Sequence, residues 1–339
     1  VIRTVISHFA KVIVAFTFSC QNSSVSPTIP GTWDKLSDFP GIPRRNAVGF
    51  VINGIAFVGT GYNYASNMNL TDFWSYTKST DSWTAMADFP GVGRSYAVAF
   101  SLNGKGYVGL GTDGTDPLSD FYQYDPSLNK WTRVADFGTS LSVTMARSRF
   151  GAVAFNVNGK AFVGSGSAKT PDALPDFWQY DDVQNQWLRI QDIGVARRNA
   201  WVMVIGNIAY LGGGSDHGTT LNDLWKFDPS LANPWFSLEK KGVQPPSREL
   251  ATTFVIGTNG YLSFGSTKTT ALSDTWQYSP PTNQWTQVKN TVTSSASIWN
   301  SMASRASGIG FSIDTVGYMT TGNGDGGSVC YDDCWLFTP

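Results

Sequence analysis

Six arginines, Arg44, Arg94, Arg149, Arg197, Arg248 and Arg305, each open an apolar run, and each run leads on to an aspartate: Asp72, Asp120, Asp176, Asp223, Asp274 and Asp333 respectively. Guanidinium and carboxylate recurring in this way can act in two ways. Paired bidentately, each couple fixes the geometry of its own unit and is consumed by it. Left apart, the arginines form a ring of donors for an anionic ligand. Pairing within each unit is the expected outcome. First and third strands of a sheet lie about 10 Å apart, and a glycine between them leaves room for an arginine to reach the aspartate across it.

Positions at which the units disagree are better candidates for ligand contact, because a scaffold requirement should repeat in every unit. The residue after each arginine is Arg45, Ser95, Phe150, Arg198, Glu249 and Ala306, a mixed rim at one end of the molecule. Arg45, Arg198 and Glu249, with the additional Arg147, are the groups there that could hold a carboxylate or a sugar; the alternative is a solvated rim. Loops on the same face supply Tyr62, Tyr64 and an unrepeated Trp299 as aromatic contacts. Asp113 and Asp116 sit in a Gly/Thr loop, where carboxylates form turns more often than calcium sites. Cys330 and Cys334 could bridge a tight loop or remain two free thiols. Two cysteines with no histidine nearby do not make a zinc site, so no metal and no cofactor are expected.

The elements that position these groups repeat at about 50 residues and contain four short strand signals and no helix, the mark of a β-propeller blade. Each unit has an apolar strand, a tight turn such as Asn53-Gly54, Asn103-Gly104, Asn158-Gly159 or Asn259-Gly260, and a return strand ending in a glycine pair. Asn-Gly suits a hairpin because both central positions of a type I′ turn need positive φ. An Asp-x-aromatic-x-aromatic strand follows, and then a strand carrying Trp83, Trp131, Trp187, Trp235 or Trp285. The sixth unit lacks that last strand, and the segment around Trp33 reads like it. The expected fold is therefore an all-β, six-bladed propeller whose ring is closed by an N-terminal outer strand joining the C-terminal blade. Both chain ends would then seal what is otherwise an open seam.

The glycine pairs Gly59/Gly61, Gly109/Gly111, Gly164/Gly166 and Gly212/Gly213, the aromatics after them and the spaced tryptophans resemble the kelch repeat family over about residues 31–339. The last two units keep only Gly265 and Gly322 of the pair. Kelch propellers mostly bind proteins, and a few are enzymes, so the resemblance implies architecture and leaves the chemistry open. Its well-known enzyme, galactose oxidase, needs two histidines at a copper centre. This chain has His8 and His217, the first inside a leader-like segment, which excludes that site. Sialic-acid epimerases are similar six-bladed envelope proteins, and for such a sugar isomerase Glu249 beside Arg248, facing Arg45 and Arg198 across the channel, would be the components. No nucleophile elbow or phosphate-binding glycine loop is present.

Residues 1–20 combine Arg3 and Lys11 with the apolar run Val12–Ala15 and end Ser19-Cys20. This is read as a signal peptide, with Cys20 the candidate for lipidation, and residues 21–30 as a Ser/Pro-rich tether. Charged residues make up 14% and the net charge is −1, which excludes a nucleic-acid footprint or an electrostatic membrane surface. The expectation is an exported, monomeric protein of a bacterial cell envelope. It touches the membrane only through a lipid anchor and binds a protein or a glycan. A purely structural surface protein is the remaining alternative.

Overall fold

In a computed structural model, which describes residues 28–138, 148–292 and 302–339, each apolar run becomes an inner strand and each blade grows outward from it. The first blade runs Val48–Ile52, Ile55–Gly59, Phe73–Thr77 and Ser82–Met86, every neighbour antiparallel. Asn53 and Gly54 adopt φ of +50° and +76°, so the turn residues take the conformation for which they are suited. Among the described residues there are six such four-stranded units. The inner strands Val48–Ile52, Val98–Leu102, Val153–Val157, Trp201–Ile205, Thr252–Ile256 and Ile309–Ile313 each touch the next, and the last touches the first. That closed cycle is the propeller ring. Expectations concerning the signal peptide, Cys20, Arg147 and Trp299 lie outside the described residues.

Ring closure comes from the strand Thr28–Lys35. It pairs antiparallel with the C-terminal strand Cys334–Thr338, Trp33 opposite Phe337. It also runs parallel to the outer strand of the fifth blade, Gln284–Val292, with Thr28 opposite Gln287 and Trp33 opposite Val292. One strand thus joins the fifth and sixth blades into a single eight-stranded sheet. Thr28, Ile29 and Pro30, placed in the tether by their composition, belong to this strand. The reason is the extra length of the fifth outer strand, which gives them backbone partners.

Two local expectations are corrected. In the fifth blade the hairpin turn is Gly257-Thr258, with Ile256 opposite Asn259. Asn259-Gly260 instead lies in the return strand, and Gly260 is where Met203 Sδ packs, 2.5 Å from where a Cβ would stand. In the fourth blade the glycine equivalent to Gly61 is Gly214, not Gly213: both donate their N–H to the next blade's arginine carbonyl, Gly61 to Arg94 and Gly214 to Arg248. The loss of the first glycine in the last two blades has a packing cause. Gly59, Gly109 and Gly164 each face a phenylalanine of the third strand, Phe73, Phe121 and Phe177, whose rings lie 2.2–2.3 Å from where a Cβ would stand. In the fifth and sixth blades the partners are Thr275 and Cys334, and Ser263 and Thr320 fit opposite them.

The core lies between blades. Phe50 and Phe57 of the first pack on Tyr124 of the second, and Phe73 packs on Trp131. The spaced tryptophans also stitch blades together: Trp131 Nε1 donates to Ala87 O at 2.9 Å and Trp187 Nε1 to Ala135 O at 3.1 Å, each reaching the blade before its own.

Candidate functional site

The six arginines and six aspartates meet as bidentate pairs. Nη1 and Nη2 lie 2.6 and 2.6 Å from the carboxylate in Arg44–Asp72, 2.7 and 2.8 Å in Arg94–Asp120, and 2.8 and 2.8 Å in Arg149–Asp176. The remaining pairs measure 2.7 and 2.6 Å in Arg197–Asp223, 2.8 and 2.7 Å in Arg248–Asp274, and 2.6 and 2.8 Å in Arg305–Asp333. Every one of these arginines is 0–1% exposed. Nη1 also donates to a carbonyl of the second-strand loop, Thr60 O at 2.9 Å in the first blade and Ser165 O at 2.9 Å in the third. Nε of Arg44, Arg94, Arg197, Arg248 and Arg305 donates to the carbonyl two residues back. An arginine so bonded has no fork left for a ligand.

In five blades the first aromatic of the Asp-x-aromatic run is a tryptophan that donates to the same carboxylate: Trp74, Trp178, Trp225, Trp276 and Trp335, at 2.6–2.8 Å. Burial alone would push the Asp72, Asp176, Asp223 and Asp333 carboxyls up. The arginine hydrogen bonds and charge, and then the indole, outweigh it and hold all four below the ordinary 3.8. Because the folded-state values are depressed, the stabilisation is fully present above the unfolded value and is lost as pH falls through the folded values. Thermal melting is therefore expected to be flat from about pH 7 to about pH 5 and to fall steeply below about pH 4. A melting temperature unchanged down to about pH 2 would contradict the pairing.

Just beyond each rim residue the chain turns through a left-handed conformation, at Asn46, Tyr96, Gly151, Asn199, Leu250 and Ser307, with φ between +53° and +61°. Their main chains form a closed collar. Asn46 N donates to Ser307 O, Ser307 N to Leu250 O, Leu250 N to Asn199 O, Asn199 N to Gly151 O, Gly151 N to Tyr96 O and Tyr96 N to Asn46 O, at 2.7–3.1 Å. The collar surrounds an open recess at the mouth of the central channel. Below it a ring of small residues, Ala47, Ala97, Ala152, Ala200, Ala251 and Gly308, keeps the channel open.

The rim groups proposed from sequence fall into two places on this mouth. Arg45 lies over the rings of Tyr62 and Tyr64, 5.2 and 5.9 Å from their centroids, and Nη1 donates to Gly327 O at 2.9 Å. Three candidates are thereby brought together, and Tyr64 is 49% exposed. In the fourth and fifth blades Arg198 pairs with Asp172 at 2.8 Å, and Glu249 accepts from Asn199 Nδ2 at 2.9 Å. Arg248 does not join Glu249: its guanidinium points into the blade and is held by Asp274. The collar, Asp172 and the Gly327 carbonyl were missed by sequence reasoning. One signal for part of them was available, the identical run Arg-Arg-Asn-Ala at residues 44–47 and 197–200.

The other candidates are structural. Asp113 accepts the N–H groups of Thr115 and Asp116, both at 2.7 Å, and so forms its own turn. Among the described residues no group of three or more His, Cys, Asp or Glu could hold a metal. Cys330 and Cys334 are separate thiols, the second of the two readings the sequence offers. Cys334 is opposite Thr320 within the blade-six sheet, and burial pushes its thiol up. His217 is on an exposed loop beside Asp216.

Residues 137–307, half of the chain, match the family model described as the KLHDC2/KLHL20/DRC7 Kelch-repeats domain, and residues 93–138 match the Kelch motif. Among solved structures the chain is similar to "Structure of YjhT", with a TM-score of 0.67 and 18% identity over 89% of this chain and 96% of that one. At that identity the likeness is one of fold. No curated protein matches the sequence.

Proposed function

The chain belongs to the kelch-repeat β-propeller family, and on that footing we propose that it is an exported binding module of a bacterial cell envelope, carried on a lipidated Cys20, which recognises a protein or glycan through the mouth bearing Arg45, Tyr62 and Tyr64. The observation that carries this reading is the division of labour among the arginines. Six are buried and consumed by their aspartates. Arg45 has no carboxylate partner among the hydrogen bonds of the described residues and is held by two tyrosines and one carbonyl at an open rim. A guanidinium oriented on aromatic faces beside an exposed tyrosine is the arrangement in which interface binding energy concentrates.

The sugar-isomerase alternative loses Arg248, which is spent on Asp274, and Arg198, which pairs with Asp172, and keeps Arg45 as its cation on the rim. Glu249, which accepts from Asn199 Nδ2, is the rim carboxylate left for that chemistry.

The test is capture on a glycan array and by pull-down from envelope extracts, wild type against Tyr64→Ala. Tyr64 is half exposed, so its removal should leave the melting temperature unchanged and weaken capture by at least about tenfold. Capture that survives the substitution would refute the site. No specific capture in either assay would favour the purely structural alternative.

A further inference from the structure

A second recess opens between the third and fourth blades, and the residues around it are departures from the repeat. It is bordered by Phe162 and Phe227, whose rings meet edge to face with centroids 4.8 Å apart. In the second and fifth blades the residue equivalent to Phe162 is a tyrosine, and the glutamine directly across the sheet donates to its hydroxyl. Gln123 Nε2 reaches Tyr107 and Gln277 Nε2 reaches Tyr261, both at 2.6 Å. The third blade keeps the glutamine, Gln179, opposite Phe162, and has no hydroxyl there to receive it. Among the described residues the Gln179 carboxamide makes no hydrogen bond, and it lines the recess.

The fourth blade leaves this space open. In the second and third blades a tyrosine and an asparagine clasp the preceding blade: Asn129 Oδ1 accepts from Tyr124 O–H and Ala87 N–H, and Asn185 Oδ1 from Tyr180 O–H and Ala135 N–H, all at 2.8 Å. Phe227 stands where that tyrosine is needed, and the turn after it, residues 228–234, is one residue longer than residues 125–130 of the second blade. Trp235 Nε1, unlike Trp131 and Trp187, is buried with no acceptor in the blade before it. The surface beside the recess is apolar as well. Leu188 lies opposite Gln179, where the second and fifth blades have Thr132 and Thr286, and Leu188 and Leu231 are 39% and 44% exposed.

We propose that this recess receives a tyrosine side chain of a partner protein, its ring against Phe162, Phe227, Ile190 and Pro234 and its hydroxyl accepting from Gln179 Nε2. The chain makes this glutamine-to-phenol bond twice for itself, so a phenol is the chemistry that completes the third blade. Tyrosine also suits a site with apolar walls and one polar group at the ring's end. Leu188 and Leu231 continue the apolar surface past the recess, where residues flanking the tyrosine cover them and a free phenol does not. No residue of the recess belongs to the channel mouth, so the inference goes beyond the reading above and does not rest on it.

Ligand-observed NMR titration with N-acetyltyrosinamide and N-acetylphenylalaninamide, up to about 20 mM, tests it. The tyrosine probe should bind about fivefold more tightly, the worth of one net hydrogen bond. Phe162→Tyr gives Gln179 the partner that Gln123 and Gln277 already have, at a position where two other blades hold tyrosine. It should weaken binding of the tyrosine probe about fivefold or more without lowering the thermal melt. Gln179→Met should erase the preference and leave the phenylalanine probe bound as before. Tyr64→Ala at the mouth should change neither titration. The proposal is overturned by no binding of the tyrosine probe, by equal binding of the two probes, by a preference that survives Phe162→Tyr or Gln179→Met, or by its loss in Tyr64→Ala. Binding of p-cresol without N-acetyltyrosinamide would also overturn it, since the recess would then exclude a tyrosine carried on a chain.

Discussion

Asp176→Ala is expected to destabilise the protein by about 3–5 kcal/mol, a large part of the margin on which a domain of this kind stands. The aspartate receives both Nη atoms of Arg149 and the indole N–H of Trp178, all at 2.8 Å, and the Arg149 side chain is 0% exposed. Truncation leaves a guanidinium that can neither be neutralised nor reach water. The double variant Arg149→Met with Asp176→Leu, which removes both charges, should recover most of the loss, because burying an ion pair contributes little beyond geometry. By contrast, Asp116→Ala removes an ion pair with Lys169 whose partners are 69% and 53% exposed, and it should change stability by no more than about 1 kcal/mol. Chemical denaturation of the four proteins measures this. Equal, small effects at both sites would mean that the blade pairs are not structural anchors.

Loss of the closing strand should be more severe. Trp33 is fully buried against Phe254, Phe264 and Phe337, with ring centroids 5.8, 5.8 and 4.9 Å away. Trp33→Ala alone should cost about 3–5 kcal/mol. A chain beginning after Leu36 also loses the backbone pairing on both sides of Thr28–Lys35 and leaves two strand edges open, those of Gln284–Val292 and Cys334–Thr338. Such edges pair with other chains. The truncated protein should therefore elute as aggregates and show no cooperative melt near that of the full chain. A monodisperse truncated protein with an unaltered melt would show that the ring does not depend on its N-terminal strand.

Most of this architecture was legible because propeller blades are local hairpins built on repeating patterns. Arg44 predicts Asp72, and Trp33 predicts a place beside Phe337, since the same residues recur at the same positions in other units. What was illegible depended on contacts outside the repeat. The parallel pairing of Thr28–Pro30 follows from the extra length of one outer strand. The turn at Gly257-Thr258 was missed for another reason: Asn259-Gly260 has the composition of a hairpin turn, but Gly260, like Gly106 and Gly317, is the second residue of its return strand, where the preceding blade's inner strand packs. The mouth shows the same division. Arg45, Tyr62 and Tyr64 could be nominated one by one as departures from the repeat, but their convergence required the blade-one hairpin Tyr62–Asn63 and Met68–Asn69 to fold back beside the rim. The collar is held by main-chain atoms, so side-chain identity gave no sign of it beyond the repeated Arg-Arg-Asn-Ala.

The division between scaffold and ligand-facing arginines can be measured without knowing the ligand. Native protein treated with phenylglyoxal and mapped by mass spectrometry should be modified at Arg133 and Arg189, whose side chains are 59% and 42% exposed, and at Arg45. Arg44, Arg94, Arg149, Arg197, Arg248 and Arg305 should remain unmodified until the protein unfolds. Adducts on those six in the folded protein, or an Arg45 as protected as they are, would contradict the assignment of the six to the scaffold and of Arg45 to recognition.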